Sequence, residues 1–522
     1  MSASEQERSG PATALPQVFP STVHMLDAAA EAAGDRLAVT CGKETLSYDE
    51  YRRCIAGLAH ALIGLGAGGE RVALVIGNSI EMAIATFAVH AGGAQVVPIN
   101  PLYTAREMGH ILADAEPCAI IHDSDAAETV IALADKLGIA RRMQVGPGGD
   151  DLTRWRDDVE ARLPTPLPSA DSPATLQYTG GTTGRSKGVD LTHANLAVNI
   201  SQREALVPSR PDVESMLCVM PLFHVYASHV CLHTMAYARG TLVILPRYHP
   251  RDTLDALARH RITIFAGSPT IFTGLLAYEG LAEADFSHLR FSYSGSAPLP
   301  AEILNRWETA VGTPIIEGYG QSEAGPVISF NPLMGKRKPG SVGIAVPGTA
   351  LEIVDVETGT KVLGVGEVGE IRLRGPQVMA GYRNLEAETK ETLRGDWLHT
   401  GDIGEFDSDG YLFIRDRKKD MAIVGGYNVY PREIDEVLYT HPDVLEAAAI
   451  GMPDDYRGEI IEARVVLKPG AETDEDALLA HCRENLAKYK VPARMAIVDA
   501  LPKTTVGKID KKTIRGHNQT NA

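Results

Sequence analysis

The chain has 522 residues, 44% of them apolar, and a formal net charge of -17. That length exceeds what one hydrophobic core supports, so two or more domains are expected, while the acidic balance argues against nonspecific nucleic-acid binding, which needs a broad basic surface. Six scattered cysteines, Cys41, Cys54, Cys118, Cys218, Cys231 and Cys482, form no CxxC pair, which argues against a disulfide scaffold or a zinc site and suits reduced thiols in a cytoplasmic protein.

Residues 1–20 mix Ser, Glu, Gly and Pro and read as a loose terminus without the apolar run of a secretory signal. From about Leu46 to Asp123, short β-rich runs (VALVI, QVVPI, CAIIHD) alternate with helical stretches such as YDEYRRCIAGLAHALIGLG. The most apolar stretch, Val72 to Ile99, is broken by Asn78, Glu81, His90 and a glycine pair, so no transmembrane span is expected. Peripheral membrane contact and a homodimer stay open. The alternation resumes after Tyr178 with MLCVMPLF, TLVILP, ITIFAGSP and LRFSYSGS, which implies layered α/β lobes. Gly340 to Tyr411 turns to glycine-rich short strands, and a new unit of about a hundred residues follows the charged RDRKKD. The expected fold is therefore α/β: a large N-terminal domain (21–416) of two layered lobes plus a β-rich subdomain, a hinge (417–420), and a small mobile α+β domain (421–516).

The segment YTGGTTGRSKG, Tyr178 to Gly188, sets four glycines and three threonines around one lysine. Glycines let backbone N–H groups and hydroxyls curl around an anion. A Walker loop is excluded on spacing, because Lys187 is preceded by Ser186 and followed by Gly188. Near the C-terminus, PKTTVGKIDKKTIR (502–515) carries five cations against one acid, a local positive charge suited to small anionic ligands.

TGGTTGRSKG followed by V-x-L-T-H resembles the phosphate-binding signature of the adenylate-forming superfamily, which includes acyl-CoA synthetases, luciferases and peptide-synthetase adenylation domains. EGYGQSEAGP (317–326), LHTGDIG (398–404), DRKKDMAIVGGYNVYPREI (416–434) and PKTTVGKIDK (502–511) are similar to its other signatures, in the same order. The resemblance implies an AMP-forming acid:CoA ligase that uses ATP, Mg²⁺ and coenzyme A. It places the phosphates on Thr179, Gly180, Gly181, Thr182, Thr183, Gly184 and Lys187. Tyr319 would stack against adenine with Gly295, Ser296 and Ala297 at its edge, Glu317, Gly318, Gly320 and Ser322 would belong to the same cofactor site, and Mg²⁺ would lie on Glu323. Asp402 would take the ribose hydroxyls and Arg417 would add a positive contact. Lys508 would be the adenylation lysine, with His224 at the mouth of the acyl pocket. Lys419 would be the pivot that brings Gly425 and Gly426 to a pantetheine channel. Gly180 stands where many relatives carry Ser or Thr, which removes a hydroxyl contact there.

Because the carboxylate and the α-phosphate repel each other, cations must bridge them, and a lysine at 508 answers that need. Within the superfamily the pattern resembles fatty acyl-CoA ligases, with a medium- or long-chain fatty acid as substrate. Ligases of aromatic or alicyclic acids and enzymes that load a carrier protein are the alternatives.

Overall fold

The structure, a computed structural model, describes residues 8, 9, 14–179, 186–454, 456–504 and 507–519. The β-rich runs of the first lobe form a seven-stranded sheet whose centre, Arg71–Val75, Gln95–Pro98 and Ala119–His122, is parallel. Alternation along these strands sends side chains to two cores: Val72, Leu74 and Val96 face one, while Ala73, Val75 and Val97 face the other. A second sheet of nine strands runs parallel through Leu37–Cys41, Thr241–Ile244, Ser215–Cys218, Ile264–Gly267, Phe291–Ser294 and Ile315–Gly320. The helices Thr22–Ala33, Tyr48–Gly64 and Ile80–Ala91 contribute apolar faces to the core shared by the two sheets. Each starts on a serine that caps it, and at Ser47 the cap is reciprocal with Glu50.

The stretch after Gly340 supplies five strands of a six-stranded antiparallel sheet, Arg8–Ser9 being the sixth, and the final unit is a five-stranded sheet packed with the helices Pro431–Tyr439 and Glu475–Asn485. The expected large N-terminal and small C-terminal domains are both present. Described residues within 1–20 make defined contacts. Arg8–Ser9 pairs with Ala350–Val354, Ser201 Oγ donates to the Pro16 carbonyl at 2.8 Å, and Phe19 packs edge-on against Tyr237. Local apolar and backbone contacts thus hold Arg8, Ser9, Pro16 and Phe19, in a stretch whose composition alone suggests disorder. Among the described residues no helix is long and apolar enough to cross a membrane.

One feature of the core was invisible in the sequence. His90, His193, His229 and His233 come from three helical segments and gather in the interior, with ring centroids 4.9 Å apart for His90 and His193 and 6.2 Å for His90 and His233. His90 is bonded to Thr22 and the Ala174 carbonyl, whereas neither nitrogen of His229 or His233 has a partner. Burial holds these imidazoles neutral, pushing His90 down to about 4 and His229 down to about 3, the latter pushed the same way by the Arg203 charge. A depressed folded value means that the unfolded chain binds the proton first. Stability is then complete above the ordinary value of 6.5 and lost as pH falls toward the folded values. Each such histidine contributes a slope of up to about 1.4 kcal/mol per pH unit in that window. We predict that His229→Leu, which removes an unpartnered polar group, lowers the acid-unfolding midpoint without loss of melting temperature at pH 7. Circular dichroism across pH 4–7 checks this, and an unchanged midpoint would contradict it.

Candidate active site

The glycine- and threonine-rich segment joins two antiparallel strands, Pro173–Thr179 and Lys187–Thr192, with Thr179 opposite Lys187. Gly180, Gly181, Thr182, Thr183 and Gly184 lie outside the described residues. The V-x-L-T-H part of the signature is scaffolding: Thr192 caps the helix His193–Leu206 in a reciprocal box with Asn195. The Asn195 amide in turn donates to the carbonyls of Pro376 at 2.8 Å and Val378 at 3.0 Å. These bonds hold the short strand Gly381–Tyr382 against Lys187–Thr192.

Tyr382, which no sequence motif singled out, joins two of the expected site residues. Its hydroxyl donates to Glu323 Oε1 at 2.8 Å, and the Lys187 ammonium sits 4.6 Å from its ring centroid. The main-chain carbonyl of Glu323 accepts from Met379 N–H at 2.9 Å, so this acid is fixed at both ends. Burial raises its carboxyl above the ordinary value, opposed by its own backbone N–H and by Tyr382.

The strand Ile315–Gly320 carries the next group. Neither Gly318 nor Gly320 leaves room for a side chain: a Cβ would stand 2.3 Å from the Phe330 ring at the first and 2.0 Å from the Pro326 carbonyl oxygen at the second. Between them Tyr319 donates its hydroxyl to Asp402 Oδ2 at 2.5 Å. Asp402 and Arg417 are cross-strand partners, with Arg417 Nε 3.5 Å from the other carboxylate oxygen. Burial raises the Asp402 carboxyl, offset by Arg417, Tyr319 and Lys508. Glu317 turns its carboxylate to the Leu299 N–H at 3.0 Å, which fixes the turn bearing Gly295, Ser296 and Ala297. Its second oxygen is buried and unpartnered, and burial pushes the carboxyl up to about 7 against the opposing Arg432 charge. Ser296 holds a left-handed backbone with φ 71° and a buried, unpartnered hydroxyl, the kind of local strain that gathers at ligand sites. Ser322 opens the short helix Ser322–Ala324 that carries Glu323.

Lys508 arrives from the C-terminal domain. Its turn is closed by Thr504, whose N–H donates to the Lys508 carbonyl at 2.7 Å. Burial and the Arg417 charge pull the ammonium down to about 8, with Asp402 acting the other way. His224 feels the Lys508 charge, and burial above all holds its imidazole down to about 3, hence neutral near pH 7. Since Nδ1 accepts the Tyr226 N–H at 3.2 Å, the ring proton resides on Nε2, making this atom a donor. The site therefore unites Asp402, Arg417, Tyr319, His224 and Lys508, from residues nearly 300 positions apart.

The linker also shows a division of contacts. Lys418 is tied to the N-terminal domain through Gly401, Val356 and Glu370, whereas Asp420 is held by Arg515 of the terminal helix at 2.7 Å. Lys419 stands between the two sets. Gly425 and Gly426 do not join the cluster. They form the two-residue turn of the hairpin Ala422–Val424 and Tyr427–Val429, both at positive φ, and Gly425 N–H donates to the Arg457 carbonyl.

A family model described as AMP-binding enzyme matches residues 26–383, and one described as AMP-binding enzyme C-terminal domain matches 433–508. The chain belongs to the AMP-binding enzyme family. It is 38% identical to a long-chain-fatty-acid–CoA ligase of Bacillus subtilis, with 85% of each chain covered. It is also 38% identical to a feruloyl-CoA synthase of an Amycolatopsis species, covering 92% of this chain and 95% of that one. Among solved structures, ATP-bound MatB from Rhodopseudomonas palustris superposes with a TM-score of 0.88 at 34% identity, covering 96% of this chain and 99% of that chain.

In an AMP-binding enzyme, the bracing of Lys187 and Glu323 by one tyrosine has a measurable cost when removed. Tyr382→Phe, which keeps the ring under Lys187 but loses the hydroxyl, is predicted to weaken ATP binding about threefold, and Tyr382→Leu about tenfold or more. Calorimetric titration with ATP checks this; wild-type affinity in the leucine variant would contradict it.

Proposed function

We propose that the chain is an ATP-dependent acid:CoA ligase acting on a medium- or long-chain fatty acid. The acid and ATP give an acyl adenylate and pyrophosphate, and CoA then gives the acyl-CoA and AMP. The observation that carries this reading is that the Lys508 ammonium, brought from the C-terminal domain, acts electrostatically on Asp402 and neutral His224 and is itself acted on by Arg417.

Carboxylate and α-phosphate are both anionic, so their approach needs positive charge that strengthens its hold as charge shifts between them. Lys508 supplies that charge as a compact point donor, and partial burial makes it stronger than in water. His224 offers Nε2–H to the incoming carboxylate without adding a second cation. Lys187 and the segment from Thr179 hold the β- and γ-phosphates. Asp402, already oriented by Tyr319, takes the ribose hydroxyls, Arg417 adds a positive contact, and the small residues Gly295, Ser296, Ala297, Gly318 and Gly320 let adenine approach the backbone beside Tyr319.

Glu323 fits a Mg²⁺ ligand: it is a half-buried carboxylate whose neighbours are a tyrosine hydroxyl and a more distant lysine. Among the described residues no cluster of three or more His, Cys, Asp or Glu could hold a metal alone, so phosphate oxygens would complete the coordination. Mg²⁺ bound there would neutralise phosphate charge. Once pyrophosphate leaves, rotation about Lys419 would withdraw Lys508 and turn Gly425 and Gly426 toward the pantetheine thiol, where the absence of side chains leaves a narrow path.

The likeness to the Bacillus subtilis ligase supports a fatty acid. The equal identity to the feruloyl-CoA synthase supports an aromatic acid as the second reading. The test is pyrophosphate release over acids of graded chain length and ring type, with and without CoA. We expect release with fatty acids and continuing AMP production only with CoA. Release confined to ring acids would replace the substrate class, and release without CoA-dependent turnover would replace the acceptor by a carrier protein.

A further inference from the structure

The turn that bears Lys508 is held to the N-terminal domain by a hydrogen bond that no motif marks. Thr270 Oγ1 donates to the Gly507 carbonyl at 2.9 Å. A hydroxyl has one proton, so with that proton given to Gly507 the contact of 2.9 Å between Ser268 Oγ and Thr270 Oγ1 must have Ser268 as donor. Ser268 is free for this: it heads the helix Pro269–Leu276 yet makes no capping bond, and it is buried. The fit is close on the other side as well. Gly507 has φ 77°, and a Cβ there would stand 2.9 Å from Thr270 Oγ1 and 3.4 Å from Ser268 Oγ. Ser268 and Thr270 thus form a receptor shaped for a glycine, one residue before the lysine.

A second contact spans the same two domains. The helix Ala301–Val311 begins after Pro300, which offers no side-chain cap. Its first N–H faces the carboxylate of Glu436, from the helix Pro431–Tyr439 of the C-terminal domain, and works with Arg432 against the rise that burial imposes on this acid. Arg432 Nη2 lies 3.7 Å from the same carboxylate.

We propose that Thr270, with Glu436 as a second point, is a latch that holds the C-terminal domain in the arrangement delivering Lys508, and that Thr270 is a positioning residue for acyl-adenylate formation alone. The inference rests on the ligase reading above. In that reading the second half-reaction needs the lysine withdrawn, so both contacts break before the thiol arrives. A latch stabilises one arrangement and therefore changes the two half-reactions differently, whereas a residue needed only for folding or for the acyl pocket changes both alike.

The experiment compares pyrophosphate formation from acid and ATP with thioester formation from supplied acyl-AMP and CoA. Thr270→Val keeps the shape and removes the donor. The loss of one hydrogen bond is expected to slow adenylation by about three- to tenfold. Thioester formation from acyl-AMP should be unchanged or faster, and Thr270→Ser should restore adenylation. Glu436→Ala, remote from the acyl group, should show the same split. Equal loss of both half-reactions, or no loss of either, in both variants overturns the latch. A wild-type chain that forms no adenylate from any acid overturns the ligase reading and the latch with it.

Discussion

In the proposed reaction a lysine ammonium must be brought, partly dehydrated, to the place where two anions meet, and that requirement would organise the rest of the site. Lys508 can be there because the pair Asp402 and Arg417 sets the local charge, Asp402 favouring the ammonium and Arg417 opposing it. Burial above all, with Arg417, outweighs Asp402 and leaves the group near 8, cationic at neutral pH yet less firmly so than a surface lysine. The same charge helps to keep His224 neutral. A lysine on a separate domain can also leave, which a lysine on the central sheet could not.

Tyrosines supply much of the rigidity around that charge. Tyr319 fixes Asp402, and Tyr382 ties Glu323 to Lys187. In each case a hydroxyl satisfies one oxygen of the carboxylate; the second oxygen of Asp402 faces Arg417, and Glu323 is half-buried. A buried carboxylate without such a donor would protonate more readily and lose its orientation. Glu317 shows the same economy of contacts with a backbone donor: it accepts Leu299 N–H and so shapes the turn at Gly295 to Ala297.

Much of the fold was legible in the sequence because the strands are short apolar runs between helices of regular period. Val72 to Val75 and Val96 to Val97 could be assigned to parallel strands on that pattern alone. In the site, motifs singled out Glu323, Asp402 and Lys508, and the fold then supplied the neighbours of each. The site was not legible where a residue acts through a distant partner. Tyr382, Thr270 and Glu436 each make their decisive contact with a residue dozens to hundreds of positions away, and nothing in their neighbours announces it. Composition also misled at Pro16 and Phe19, because one hydrogen bond and one ring contact suffice to order a segment of low apolar content. The buried histidines were hidden for a different reason: the helices that carry His90, His229 and His233 show only apolar periodicity.

The central claim is that Lys508 serves the first half-reaction and not the second. The most direct measurement is the rate of each half-reaction in Lys508→Ala: acyl-adenylate formation from acid and ATP, and thioester formation from supplied acyl-AMP and CoA. The account predicts near-complete loss of the first with the second retained. Full adenylation by the variant, or loss of both steps together, would contradict it.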